Sequence, residues 1–462
     1  MRSEINGEDG GRNQLERAKI LLQVAAAIVF LAIGSGRAEA VPSFARQTGQ
    51  PCAACHTAFP ELTPFGQRFK LGGYTLSATE KFTPPVAAMA ITSFTHTKKN
   101  QDAPPADGFK TNDNFALDQA SLFYAGKIYG DAGAFVQITY DGIGKAWELD
   151  NTDFRYAHDT ELMGKDLIFG VSVNNNPTVQ DVWNTTPAWG FPQFASGLAP
   201  QFSAPEALLQ EALGGQVIGA TAYGFWDDSI YAEAGGYSGM SENLQDSLGT
   251  LGDNKLSGFA PYARVAVEKS WDPWNLEVGA FGMYAKLQPG WDGTFGTDNY
   301  GDLGFDTQLY YSDDTNQLMV KISDIVEWQQ LNSTFAQGGS SNLNNHLNVF
   351  NASATWVYLQ KYSLSGGYFN VSGSSDALLY ADAAAPGSSM GMGNPDGSWL
   401  VFDASWMPFM EGSPKPYTTA NVRLGLQYTH YLTMYGGDSN FDGNGHNASD
   451  NDTVYAYMVA AF

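Results

Sequence analysis

Only two cysteines occur in 462 residues. That excludes a fold stapled by several disulfides. Charge is scarce as well, at 16% of residues against about 25% in an average soluble protein. Basic residues are scarcest, 24 against 48 acidic, for a net charge of −24. A nucleic-acid binder needs a basic field to neutralise phosphates, so no nucleic-acid partner is expected. No run of 18 or more apolar residues is present, and spanning helices are not expected. Aromatic residues, at 13%, and glycines, at 51, are plentiful. Few charges with many aromatics and glycines leave one membrane architecture open: a β-barrel, whose polar lumen offsets its apolar outer face.

The N-terminus reads as an export signal. Residues 12–19 carry net positive charge, and 20–33 (ILLQVAAAIVFLAI) contain one polar residue in fourteen. That is short for a spanning helix and the length of a signal h-region. Ala38-Glu39-Ala40 closes the segment as an A-x-A site. Residues 1–40 are expected to be a signal peptide cleaved after Ala40.

The two cysteines lie in Cys52-Ala53-Ala54-Cys55-His56, a C-x-x-C-H motif. This spacing puts two thiols on one face of a short turn, each able to form a thioether to a haem vinyl group. The adjacent His56 then serves as proximal ligand to the iron. A Cys52–Cys55 redox disulfide would need a βαβ setting that does not follow. A zinc site would need a further close ligand, and the next histidine is His96. One covalent haem c is therefore the expected cofactor, held by Cys52, Cys55 and His56. The backbone carbonyl of Pro60 or a neighbour is the expected acceptor for the other ring N–H of His56.

The haem segment is expected to span residues 41–83. About forty residues cannot build a self-sufficient core, so the segment needs the haem and an enclosure. Residues 57–88 contain neither histidine nor methionine. The nearest candidates for a distal ligand are Met89 and His96, and five-coordinate iron is the alternative. Arg46, Arg68 and Lys70 flank the motif and are candidates for the haem propionates, or else are solvated surface charges.

From residue 84 to 462 the chain alternates apolar and polar. Val422, Leu424, Leu426 and Tyr428 alternate with Asn421, Arg423, Gly425 and Gln427; Leu318, Val320 and Ile322 alternate with Gln317, Met319, Lys321 and Ser323. Period two with one apolar face is the lipid-out, lumen-in pattern of a transmembrane barrel. Sixteen strands are predicted, near 86–97, 115–129, 132–140, 152–158, 165–173, 216–224, 228–238, 260–269, 274–285, 303–312, 317–327, 345–360, 362–371, 397–406, 420–432 and 452–462. Connections after strands 2, 4, 6, 8, 10 and 12 are short. Those after the odd-numbered strands are mostly long and rich in Gly, Asn and Asp. Short periplasmic turns and long outer loops alternate in this way. Tyr and Trp near segment ends, among them Tyr129, Trp271, Tyr362 and Trp406, fit interfacial girdles. The fold class is thus all-β, a sixteen-stranded antiparallel outer-membrane barrel with a small haem segment at its periplasmic mouth. A barrel of this size encloses an aqueous lumen, and the haem segment is small enough to sit within it.

The stretch VPSFARQTGQPCAACHTAFPELTPFGQRFKLGGYTL resembles the fused cytochrome–porin family of iron-oxidising bacteria. The matching positions are Phe44, Ala45, Arg46, Gln47, Thr48, Gly49, Cys52, Cys55, His56, Pro60, Leu62, Phe65, Gly66, Phe69, Lys70, Gly73 and Tyr74. Over the barrel the likeness is one of layout and length. The resemblance implies an outer-membrane electron conduit: extracellular Fe(II) gives an electron to the haem, which passes it to a periplasmic c-type cytochrome or another electron acceptor. Outer-membrane lipid surrounds the barrel. Alternatives are the same conduit with a different extracellular donor, and a diffusion porin with a haem-bearing plug.

Two weaker features remain. Acidic outer loops would concentrate a cation such as Fe(II), or merely keep the surface solvated. Asp438-Ser439-Asn440-Phe441-Asp442-Gly443 copies the start of a calcium loop, but Ser449 stands where the closing bidentate Glu should be, with Asp450 next.

Overall fold

The computed structural model describes residues 42–79, 83–200, 205–380, 393–410 and 420–462. The expected signal peptide lies outside the described residues. Three short helices come first, α1 (Pro42–Thr48), α2 (Cys52–Cys55) and α3 (Pro64–Leu71). The strands are β1 (Val86–Thr97), β2 (Asn114–Tyr129), β3 (Ala132–Asp141), β4 (Ala146–Leu162), β5 (Lys165–Asn174), β6 (Val217–Trp226), β7 (Ile230–Gly239), β8 (Phe259–Trp271), β9 (Trp274–Pro289), β10 (Asp298–Ser312), β11 (Asn316–Gln330), β12 (Asn344–Tyr358), β13 (Tyr362–Gly373), β14 (Gly397–Trp406), β15 (Asn421–Thr433) and β16 (Thr453–Ala461). The short stretch Asn254–Leu256 pairs with β9, as β8 does, and is the outer end of that strand beyond an interruption at Gly258.

Every strand pairs antiparallel with the next, and β1 pairs with both β2 and β16. The sheet therefore closes and leaves no unpaired edge. Alternation sets the two faces. Leu424, Leu426 and Tyr428 of β15 are exposed, while Arg423 and Gln427 between them are buried. Exposed Tyr129, Tyr156, Trp271, Tyr362 and Trp406 gather at one rim, with Trp147 and Trp328 toward the other. No helix among the described residues is long and apolar enough to cross a membrane; the strands do so. A closed antiparallel barrel with an apolar outer band between aromatic girdles belongs in the outer membrane of a Gram-negative cell.

Two expectations need correction. β4 runs over Ala146–Leu162, not 152–158, so the connection after β3 shrinks to residues 142–145. The missed residues include Glu148, Asp150 and Asn151, a polar run without apolar alternation, and a register shift between Val136 and Ile138 accommodates them. The lumen is also not an open aqueous space. Two segments occupy it, the N-terminal segment and the described residues of the 175–216 connection, 175–200 and 205–216.

The connection after β5 folds inward, and its residues 175–186 are all buried. Asp181 organises its turn by accepting from the backbone N–H groups of Thr185 and Thr186 at 2.9 and 3.1 Å. Thr185 bonds Asp306 on the wall, Trp183 Nε1 donates to Glu268 at 2.8 Å, and Lys321 Nζ donates to the Asn184 carbonyl at 3.1 Å. Buried Arg264 joins Asp306 at 2.6 Å and Glu277 at 3.2 Å. Farther along, Leu208, Leu209 and Leu213 pack on Val217, Tyr237, Phe281 and Leu347 of the wall, an apolar core inside the barrel.

Candidate functional site

The N-terminal segment is held inside the short-turn end of the barrel. Alone it is too small for a core; here the wall supplies one. Phe44 and Phe59 pack against Met89, Ile91, Phe123, Tyr455 and Tyr457. Polar latches add specificity. Lys70 Nζ donates to the Asp181 carbonyl at 2.5 Å and to Asn184 Oδ1 at 3.0 Å. Tyr74 Oη donates to Asp153 at 2.7 Å, and Tyr223 Oη to the Leu71 carbonyl at 2.7 Å. Buried Arg423 donates to the Phe59 carbonyl at 2.6 Å.

The local sequence dictates the turn that carries Cys52, Cys55 and His56. The C-A-A-C stretch makes one helical turn, closed by a bond from the His56 N–H to the Cys52 carbonyl at 2.9 Å. The two cysteines, three apart, share a face. Thr63 caps α3 by accepting from the Gly66 N–H, and Pro64 occupies the first turn, where its missing N–H costs nothing. The Thr63 hydroxyl also donates to the Ala54 carbonyl at 2.6 Å, clamping α3 onto α2. Gly66 is required there: a Cβ would stand 2.2 Å from the Cys55 carbonyl oxygen.

His56 Nδ1 faces the carbonyl oxygens of Pro60 and Glu61, both at 3.2 Å. That fixes the tautomer and leaves Nε2 as the atom available to a ligand. Burial lowers the His56 pKa to about 4 against the opposing pull of those two carbonyls, so the imidazole is neutral near pH 7. Burial likewise raises Cys52 to about 11 and Cys55 to about 12. Neither has the character of a reactive thiolate, and the two are not joined in a disulfide.

A cavity of about 340 Å³ opens beside the motif, lined by His56, Cys55, Phe59, Phe69, Phe135 and Trp189 among others. Its polar lining includes Lys70, Gln119, Gln137, Asp150, Asn184 and Glu211. Lys70 is lowered to about 7 by burial and by nearby Arg155. Glu211 is raised to about 7 by burial and by Glu206 and Asp150. A crevice beside the first cavity touches Cys52, Cys55, His56 and Arg423.

Met89 lies on the lumen face of β1 and lines the cavity. His96 does not. It stands seven residues farther along the same strand, so period two turns it to the opposite face. There it is half exposed and bonded to Asp113. Of the three flanking cations, only Lys70 reaches the cavity. Arg46 donates to the Pro84 and Val86 carbonyls, and Arg68 pairs with Asp228 at the barrel rim. Arg423, Gln119, Gln137 and Trp189 escaped sequence reasoning. For Arg423 a signal existed: it is a lone cation on the polar face of a strand whose other face is apolar.

The residue 438–450 loop is arranged around its own donors. Asp442 accepts from the Asn444 and His446 N–H groups, and Asp450 from Lys99 at 2.7 Å. No group of three or more His, Cys, Asp or Glu arranged to hold a metal ion occurs among the described residues.

No protein-family model matches the chain, and no curated protein does. Solved outer-membrane proteins are similar in fold. OmpT of Vibrio cholerae shares 10% identity, with 84% of this chain and 99% of that chain covered, at a TM-score of 0.40. The channel DcaP of Acinetobacter baumannii shares 12%, with 82% and 96% covered, at 0.43. An anion-selective porin from Comamonas acidovorans shares 11%, with 82% and 98% covered, at 0.44. The barrel assignment rests on the strand pairing itself.

Proposed function

We propose that this porin-like outer-membrane barrel is an electron conduit, in which one haem c carried by Cys52, Cys55 and His56 accepts electrons from extracellular Fe(II). A periplasmic c-type cytochrome or similar acceptor takes them on. This is the role of the fused cytochrome–porins that residues 41–76 resemble. The observation that carries it is a C-x-x-C-H turn enclosed within a membrane barrel and facing a cavity with an aromatic wall.

The residues present fit the group. Two neutral thiols on one helical face suit two thioether bonds, and a neutral imidazole with Nδ1 engaged suits iron ligation through Nε2. Bound there, haem c supplies one-electron oxidation and reduction, matched to a one-electron donor. The chain does the rest. Pro60 and Glu61 hold the His56 ring in orientation. Phe59, Phe69 and Phe135 supply the apolar part of the cavity wall. Lys70 and Arg423 supply positive charge near its edges. Residues 175–186 and 205–213 occupy the lumen above, which favours a conduit over a diffusion porin. Taking electrons from Fe(II) on the outer side of this lumen filling also keeps insoluble Fe(III) out of the periplasm.

The test is anaerobic visible spectroscopy of intact cells before and after Fe(II) is added. The reduced-haem α-band should rise promptly and be absent in Cys55→Ala. Reduction by dithionite but not by Fe(II) would assign the conduit a different donor. No haem signal at all would overturn the proposal.

A further inference from the structure

The inward segment 205–213 separates two cavities. Glu211 lines the one beside His56. Glu206 lines the other, about 480 Å³ in volume, which lies toward the long outer loops and is also bounded by Asp253, Glu327, Gln329 and Tyr380. Glu327 of β11 lines this outer cavity, and Asp302 of β10, behind the lining, is its direct cross-strand partner. They are 5% and 1% exposed, and within hydrogen-bonding reach of each other. Like charges directly opposite in a ladder repel, and burial removes the water that would screen them.

Among the described residues, the hydrogen-bond donors that meet this pair are all neutral. Glu327 Oε2 accepts from the Leu208 N–H at 2.9 Å, and its Oε1 accepts from Gln329 Nε2 at 2.7 Å. Asp302 Oδ2 accepts from the Leu209 N–H at 2.9 Å. Two buried oxygens then remain without a partner among the described residues, Asp302 Oδ1 and Gln329 Oε1. Gln329 is itself 8% exposed and faces the cavity. Glu327 thus stands between two neighbours that each keep a free acceptor, and no basic side chain among the described residues meets them.

We propose that Asp302, Glu327 and Gln329 bind one divalent cation of the oxygen-preferring class, entering from the outer cavity. Two carboxylates and an amide oxygen, completed by water, are a normal donor set for such an ion. The cavity has room for the waters. Glu206 and Asp253 on its wall draw cations inward. The competing occupant is a single proton shared by the two carboxyls. The site stands independently of the haem; only under the conduit reading does it become a waiting place for the donor ion, on the outer side of the 205–213 partition.

The test uses the full chain in detergent at pH 7 with Mn(II) as probe, free ion being read by electron paramagnetic resonance. The wild type should retain one Mn(II) that Asp302→Asn/Glu327→Gln binds at least tenfold more weakly. Asp292→Asn, on an exposed outer loop, should bind as the wild type does. Heat-modifiable gel migration identifies correctly folded barrels, and single Glu327→Gln serves if the double variant fails to assemble. Equal binding by wild type and variants, or no retention of Mn(II) at millimolar concentration, would overturn the site. Mn(II) uptake requires neither haem nor Fe(II), so failure here leaves the conduit proposal untouched, and the reverse holds.

Discussion

Arg423 Nη1 donates to the Phe59 carbonyl oxygen at 2.6 Å, across 364 residues of sequence. The same guanidinium holds Asp403 at 2.9 Å and stacks over Phe194 and Tyr457. One buried cation therefore joins the barrel wall to the turn that presents His56. Arg423→Met should leave Asp403 buried without its cation, keeping only the Tyr457 hydroxyl at 2.8 Å, at a cost of up to about 3–5 kcal/mol. Denaturant titration should show the loss. Protease added from the periplasmic side should then cut within residues 43–79 faster than in the wild type. Unchanged protection would mean that the wall does not anchor this turn.

Met89 is the ligand candidate that shares a cavity with His56, and His96 is turned away. Met89→Leu is nearly isosteric and should cost under about 1.5 kcal/mol. If its sulfur ligates the iron, the variant loses the sulfur-to-iron charge-transfer band and its reduction potential falls. His96→Ala should leave both unchanged. A Met89→Leu protein with the wild-type spectrum would point to five-coordinate iron.

Lys70 and Glu211 line the same cavity and both titrate near pH 7, for opposite reasons of charge but one of burial. As pH rises, Lys70 loses a positive charge and Glu211 gains a negative one. Both changes favour the oxidised, more positive haem. The potential should therefore fall as pH rises through about 7. One charge at about 10 Å in an effective dielectric of about 20 is worth roughly 1.7 kcal/mol, or on the order of 70 mV for one electron. Lys70→Met and Glu211→Gln should each flatten part of the slope in a spectroelectrochemical titration.

Asp181 latches the inward connection to the wall. Burial alone would raise its pKa, but Arg264, Lys70 and the Thr186 hydrogen bonds overcome this and hold it at about 2. A folded-state value below the ordinary 3.8 contributes stability above pH 4, lost as pH falls toward 2. Planar-bilayer conductance should be small at neutral pH and rise on acidification through that window. Asp181→Ala should raise it already at pH 7.

Much of this was legible in the chain. Period two over residues 84–462 marked the strands because a barrel strand has one face in lipid and one in the lumen, and side chains alternate strictly. Fifteen of the sixteen strand positions emerge within a few residues. β4 was cut short because Glu148, Asp150 and Asn151 break the alternation. The C-x-x-C-H turn was equally visible, since its chemistry depends on residues within five positions of one another.

Contacts between distant positions were not legible. Whether Met89 or His96 faces the cavity depended on the parity of β1 within the closed barrel. Lys70, and not Arg46 or Arg68, reached the cavity because α3 docks against the inward connection. Arg423, Trp189 and the Asp302–Glu327 pair meet their partners through barrel closure and through a 42-residue connection folding inward. Alternation is a local consequence of backbone geometry and can be read residue by residue. Which lumen residues converge is decided by closure of the sheet and by what packs inside it, and the linear order of residues carries neither.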